Sequence, residues 1–169
     1  MLISLSSFVL RCPSPFFCHP MAAALFECAI AAFGVEHQDA NRSVTRFVIE
    51  SFSQLLNARG ANYRDDGVAA LEAIVLEKGA RITQSALAAG MFELNSHLKR
   101  DQADILHLLA KIDKQHFSSW LQQSLSLPRY STTPCATREQ IVAFHDNMLK
   151  ESDSRSIYAH MRDFARLFV

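Results

Sequence analysis

The sequence has few of the residues that interrupt helices, only five glycines and five prolines in 169 positions. The glycines at 60, 67, 79 and 90 are isolated, which excludes a glycine-rich phosphate-binding loop. Cysteine is sparse too. Cys12, Cys18, Cys28 and Cys135 form no CxxC pair and no tight cluster, so a disulfide framework is not expected, and reduced, mostly buried thiols are. An excess of either charge is missing, with 17 basic and 17 acidic side chains. The balance holds locally: residues 1–60 carry four of each sign, 61–114 seven basic and eight acidic, and 115–169 six and five. Without a basic stretch the chain lacks the footprint of a phosphate-backbone binder, so no nucleic-acid partner is expected. The apolar run Met1–Leu10 is too short to span a bilayer, so no membrane partner is expected either. A secretory leader would need positive charge ahead of that run, and Arg11 follows it. Leu2–Leu10 reads instead as the end of a helix.

What is present is apolar and helical in period. Hydrophobic residues make up 49% of the chain, enough for one domain with a core. Pro20 at a first-turn position and Gly34 past the end bracket a helix over Met21–Phe33, with Leu25, Cys28, Ala29, Ala32 and Phe33 inward. Asp39 is the expected N-cap of a second helix to Leu56, its inner side built from Val44, Phe47, Val48, Ile49, Phe52, Leu55 and Leu56. Residues 57–66 read as loop. Asp65 or Asp66 then caps a helix carrying Val68, Leu71, Ile74 and Val75, which Gly79 ends or bends, with the period continuing through Ile82, Ala86, Ala89 and Phe92. Its partner runs from Arg100 to Lys114 with Ile105, Leu108, Leu109 and Ile112 inward. Phe117, Trp120, Leu121, Ser124 and Leu125 line the next helix, which Pro128 stops before a loop over 129–136. Thr137 and Gln140 match a capping box for a helix carrying Ile141, Val142, Phe144, Met148 and Leu149. The last segment, Asp153–Val169, places Ile157, Met161, Phe164 and Phe168 on one stripe and Arg155, Arg162 and Arg166 off it.

The expected fold is therefore all-α: an α-solenoid of about three HEAT-like antiparallel hairpins, over residues 14–57, 65–114 and 115–150, closed by a terminal helix at 153–169. The spacing approaches the roughly 40–47-residue period of HEAT-type repeats, although an ordinary helical bundle has the same periodicity. The terminal stripe needs a partner, and the helices around Phe117–Leu125 and Ile141–Leu149 are the expected ones. At the other end, Leu5, Phe8, Val9, Phe16, Leu25 and Phe26 are expected to include exposed apolar positions, because a solenoid repeat buries its face on a neighbour.

Residues with chemistry give little. Cys12, Cys18, His19 and Cys28 are near in sequence but at spacings unlike a zinc site. Cys135 has no nucleophile signature around it. His97, His107, His116, His145 and His160 lack the i, i+4 pairing of a metal-binding helix. Asp65, Asp66, Asp101 and Asp104 sit at helix starts, where the helix dipole accounts for them. Trp120 falls in phase with Phe117 and Leu121 and reads as core. These residues point to no enzyme, metal or cofactor.

Several short strings carry a resemblance. Arg11-Cys12-Pro13, Cys28-Ala29-Ile30-Ala31, Asp39-Ala40-Asn41, Ser43-Val44 and Arg46-Phe47 form one ordered block. Phe117, Trp120-Leu121, Ser124-Leu125, Leu127-Pro128, Gln140 and Phe144-His145 follow, and Arg162 to Phe168 closes the series. In this order they resemble the C-terminal region of the transportin-3 and importin-13 branch of the importin-beta superfamily of nuclear import receptors. Residues 58–98 match only in helical character. The resemblance implies a HEAT-repeat solenoid moving between cytoplasm and nucleus, with protein cargo (Arg/Ser-rich splicing factors) taken up and released under Ran-GTP control. Such receptors are several times longer, so it implies a piece lacking the N-terminal repeats that chiefly bind Ran, and the Arg-rich cargo helix has no counterpart. Arg155, Arg162 and Arg166 are the candidate partner-binding residues, against the alternative of a solvated face near a helix C-terminus. A generic helical-repeat interaction module unrelated to transport is the other reading.

Overall fold

The structure, a computed structural model, describes residues 16–131, 136–150 and 153–168. All regular secondary structure among the described residues is helical. The elements are α1 (Pro20–Ala32), α2 (Gln38–Gly60), α3 (Asp66–Ala88), a π-turn (Ala89–Glu93), α4 (Ser96–Ile112), α5 (Lys114–Leu125), the single turn α6 (Pro128–Ser131), α7 (Arg138–Lys150), α8 (Ser154–Ala165) and a 3₁₀ turn (Arg166–Phe168). Among the described residues no helix is long and apolar enough to cross a membrane.

The helices stack in two layers. One holds α1, α3, α5 and α7, the other α2, α4 and α8, and neighbours within each layer pack on one another. Through α5 the stacking is that of a solenoid, with antiparallel hairpins α1/α2 and α3/α4 following in parallel register. Glu27 of α1 pairs with Lys78 and Arg81 of α3, and Gly34 just past α1 lies against Glu93 just past α3. Across the other layer, Arg59 near the end of α2 donates to the Ile112 carbonyl at the end of α4. Asp113 alone joins α4 to α5, its carboxylate accepting the His116 N–H at 2.9 Å to cap the new helix.

The closing pair runs the other way. Ser118, early in α5, meets His145, late in α7, while Leu125 and Ser126 lie beside Arg138 and Ile141, so α7 is antiparallel to α5. The helix α8 is antiparallel to α4, with Asp153 at its start near His107 and Tyr158 near Arg100. The terminal stripe buries Ile157, Met161 and Phe164 as its spacing predicts. Its main neighbour is α4, not the α5 helix expected from sequence, and α7 is the second, with Phe144 and Phe164 stacked at 4.2 Å. Phe168 lies edge-on to Phe92, Tyr130 and Phe164, closing an aromatic cluster at this end.

Several local expectations are corrected. His19 and His37, not Pro20 alone and Asp39, begin α1 and α2: the Met21 N–H donates to His19 Nδ1 at 3.2 Å and the Ala40 N–H to His37 Nδ1 at 3.4 Å. Asp39 sits in the first turn, where its charge suits the helix dipole. The α2 helix continues through residues read as loop and ends at Gly60, with Asn62 in the left-handed conformation that asparagine tolerates (φ 51°). The inner side of α1 is Ala22, Phe26, Ala29, Ile30 and Phe33. Leu25 and Ala32 are half-buried there, and Cys28 and Cys18 are exposed, against the expectation of buried thiols. Phe26, expected among exposed positions, is covered by Phe47 and Phe52 of its own hairpin, and Phe16 by Phe17 and Phe47. Leu5, Phe8 and Val9 lie outside the described residues.

Gly79 does not end α3. The helix continues through it, and the six-membered ring of Trp120 rests against it; a Cβ at position 79 would lie 2.2–2.5 Å from three ring carbons. The break comes ten residues later, at the π-turn. Asn41, fully buried at the start of α2, uses its amide to collect carbonyls at and just past the end of α1: Phe33 at 2.6 Å and Val35 at 3.1 Å, with a longer contact at 3.5 Å to Ala32, whose carbonyl also accepts the Val35 N–H.

Candidate functional site

The reversal of the closing pair sets the outer side of α8 alongside the first half of α4. Asp153 fixes where α8 starts: one carboxylate oxygen accepts the N–H groups of Arg155 (2.9 Å) and Ser156 (3.0 Å), the other the Ser156 hydroxyl (3.1 Å). Those bonds hold its carboxyl below the usual carboxylate range. With Ile157, Met161 and Phe164 turned inward, helical spacing carries Arg155, Tyr158 and Arg162 onto a second stripe. Gly90 in the π-turn leaves space for the Met161 methyl, which would lie 2.3 Å from a Cβ there.

The result is a groove of ≈ 590 Å³ lined by Arg100 and Asp104 of α4 and by Ser154, Arg155, Tyr158, Ala159 and Arg162 of α8. Arg100 places its guanidinium over the Tyr158 ring, 5.9 Å from the centroid, a cation–π contact. Among the described residues neither Arg100 nor Arg155 has a carboxylate within ion-pair distance. Arg162 pairs with its neighbour Asp163 at 2.9 Å, and this contact holds the Asp163 carboxyl down. Asp101 and Asp104 lie inside α4, which starts at Ser96, and not at a helix start as the sequence suggests. Asp101, outside the groove lining, is half-buried and its carboxyl is raised, first by desolvation and then by the charge of Asp104, with Arg42 and His97 opposing.

Of the three arginines proposed from sequence, the structure brings Arg155 and Arg162 into one groove. Arg166 belongs to the 3₁₀ turn and faces Asp163 at 3.3 Å, outside the groove lining. Arg100 and Tyr158 escaped the sequence reading. Tyr158 was accessible from its place three residues after Arg155, whereas Arg100 is more than fifty residues away and only the fold joins it.

A second surface lies between α5 and α7. An apolar cleft of ≈ 480 Å³ is lined by Gln122, Leu125, Ser126, Arg138, Ile141, Val142 and His145. At its edge the His145 Nε2 lies 3.1 Å from the Ser118 hydroxyl, and its Nδ1 3.3 Å from the Asp146 carboxylate. The order serine, histidine, aspartate suggests a nucleophile, but the same Nε2 is 3.3 Å from the Ser118 backbone carbonyl. A carbonyl can only accept, so that contact calls for a proton on Nε2, the wrong tautomer for a base. Ser118 also sits inside a helix whose N–H groups are committed to its own ladder, leaving no backbone donors for an oxyanion. The trio joins α7 to α5.

The remaining chemistry-bearing residues hold helices. His19, His37 and Asp65 are N-caps, and His116 faces Asp113 at 2.7 Å. His107 is half-buried, and desolvation pushes its pKa down, with Lys111 adding to the effect. Cys12 and Cys135 fall outside the described residues. Among the described residues no three histidine, cysteine, aspartate or glutamate side chains converge as metal ligands do. No protein-family model matches the chain.

Proposed function

We propose that this chain is a helical-repeat scaffold that holds protein partners, and that it acts as the C-terminal repeat segment of a nuclear import receptor of the transportin-3 and importin-13 type. The observation that carries the scaffold reading is the parallel stacking of hairpin α1/α2 on α3/α4 and of α3 on α5, the arrangement by which repeat proteins build extended binding faces. The transport reading is supported by the ordered strings from Arg11 to Phe168. On it, the partners are protein cargo of the Arg/Ser-rich class and Ran-GTP, and the protein resides in cytoplasm and nucleus. The reversed register of α7 and α8 favours a second reading, a self-contained helical-repeat interaction module with no part in transport.

One experiment separates the two. The purified chain is titrated with Ran in its GTP and GDP forms and with an Arg/Ser-rich peptide, and binding is followed by calorimetry. Binding of the peptide that weakens when Ran-GTP, and not Ran-GDP, is added supports the receptor reading. Partner binding indifferent to the nucleotide refutes a receptor activity retained by this segment, which lacks the repeats that chiefly bind Ran, and leaves the interaction module.

A further inference from the structure

We infer that the groove between α4 and α8 is a binding site for an acidic peptide segment, its carboxylates held by Arg100, Arg155 and Arg162 along the Tyr158 ring. The inference rests on the scaffold reading and names the class of partner. Three observations lead to it. First, the groove holds more positive charge than its ion pairs take up: among the described residues Arg155 and Arg100 have no carboxylate within ion-pair distance, and Arg162 pairs with the exposed Asp163. An extended guanidinium is the side chain best shaped to take a carboxylate in two parallel hydrogen bonds. Second, the groove lining includes an aromatic ring. The Tyr158 ring holds Arg100 in place, so less side-chain entropy is lost when a ligand arrives.

Third, the spacing fits a peptide. Arg155 and Arg162 are seven residues apart on one helix, so their Cα atoms are about 10 Å apart along its axis. A peptide in the polyproline II conformation repeats its side chains every three residues, about 9 Å, and so offers carboxylates three apart at nearly the same interval. Asp104, also in the lining, repels acid at one edge and fixes which end of the segment carries its charges. A nucleic acid is disfavoured, because the two cations without an ion pair among the described residues share the site with Asp104 and the helix with Asp153 and Asp163, too little charge to neutralise a run of phosphates.

The test uses the full chain and fluorescein-labelled twelve-residue peptides with carboxylates at every third position, the matching amides, or lysines in their place. Fluorescence anisotropy at low and near-physiological salt should show binding of the acidic peptide alone. Its affinity should fall about tenfold with Arg155→Glu, and by a comparable factor with Arg100→Gln. It should be unchanged with Arg64→Ala, a remote arginine paired with Glu72. Thermal melts confirm that each variant is folded. Equal binding of acidic and amide peptides, no binding of any, or equal loss in the Arg64 variant overturns the inference. Tighter binding of a single-stranded oligonucleotide, abolished by Arg155→Glu, overturns it too. A parallel selection from a random peptide library separates this from failure of the scaffold reading. Enriched non-acidic peptides that ignore Arg155→Glu overturn only the groove assignment, whereas no enrichment at all overturns both.

Discussion

Replacing Gly79 by alanine sets two opposed effects of known size against each other. In the middle of a 23-residue helix, glycine costs about 1 kcal/mol relative to alanine, so propensity alone makes the substitution stabilising. Packing says the reverse. The new methyl would stand 2.2 Å from the nearest Trp120 ring carbon, where carbon atoms prefer about 3.5–4.0 Å, so the ring must retreat by more than 1 Å. The indole is rigid and only 8% exposed, which leaves it nowhere to go without moving α5. Overpacking of this kind costs about 1–3 kcal/mol, and a displacement this large belongs at the upper end. The net expectation for Gly79→Ala is a loss of about 2 kcal/mol, or roughly 4–8 °C in Tm for a domain of this size. The decisive comparison is the same substitution in a Trp120→Leu background, where the clashing ring carbons are gone. There Gly79→Ala should gain about 0.5–1 kcal/mol, its sign reversed. Urea unfolding followed by far-UV circular dichroism, which does not depend on the lost tryptophan, measures all four proteins. A loss of the same size in both backgrounds would falsify the assignment of Gly79 as the seat of the Trp120 ring.

Three further outcomes follow from buried polar groups. Asn41→Ala leaves the Phe33 carbonyl buried without its side-chain donor and should cost about 2 kcal/mol in urea unfolding; Asn41→Asp, which turns an acceptor towards that carbonyl, should be worse than alanine. Burial pushes the Tyr130 hydroxyl up to about 12. Because the folded value is raised, stability is intact below about pH 10 and is lost between there and about pH 12, by about 2–3 kcal/mol; Tyr130→Phe should flatten that stretch of the stability profile and remove the last phase of the tyrosine absorbance titration. The depressed pKa of His107 works from the other side: stability is full above about pH 6.5 and declines as the pH falls towards the folded value, a decline that His107→Gln should reduce in denaturant titrations at successive pH values. Identical pH profiles for His107→Gln and the parent would show that another group carries the effect.

How much of this was legible depended on whether a residue's role was local. The inner side of α5 could be read to the residue: Phe117, Trp120, Leu121, Ser124 and Leu125 are all buried. Local spacing alone also specifies the capping box of α7, where the Thr137 N–H donates to Gln140 Oε1 at 2.8 Å and the Gln140 N–H to Thr137 Oγ1 at 3.3 Å. The α1 helix is different. It is apolar nearly all the way round, so no stripe marks its inner side, and Cys28 was assigned to the wrong one. Histidine is not among the preferred N-cap residues, so His19 and His37 gave no signal against Pro20 and Asp39. Gly79 reads locally as a helix breaker, whereas its meaning is an absence of side chain opposite a tryptophan forty-one residues away. Asn41 looked like an ordinary polar residue of a first turn. For Gly79 the missing information was the identity of a distant neighbour, which a one-dimensional pattern does not contain; for the histidine caps it was a local role that residue preference does not assign.

The candidate groove is the strongest case of this kind, and its existence depends on one topological choice. Had α7 and α8 continued the parallel register of the earlier hairpins, the start of α8 would lie near the start of α4. The antiparallel arrangement instead brings Asp153 beside His107 and sets Tyr158 against Arg100. Antiparallel helices also oppose their dipoles favourably, the amino end of α8 meeting the carboxyl half of α4. Two contacts accompany this choice. In the observed direction Gly90 admits the Met161 methyl, and Phe164 faces Phe144 at stacking distance. Filling the notch with Gly90→Leu should therefore act on the groove from beneath. It should lower stability through overpacking and, in the fraction that remains folded, weaken acidic-peptide binding without touching any groove-lining arginine. A Gly90→Leu protein that is destabilised yet binds with full affinity would show that the groove does not depend on how α8 is seated.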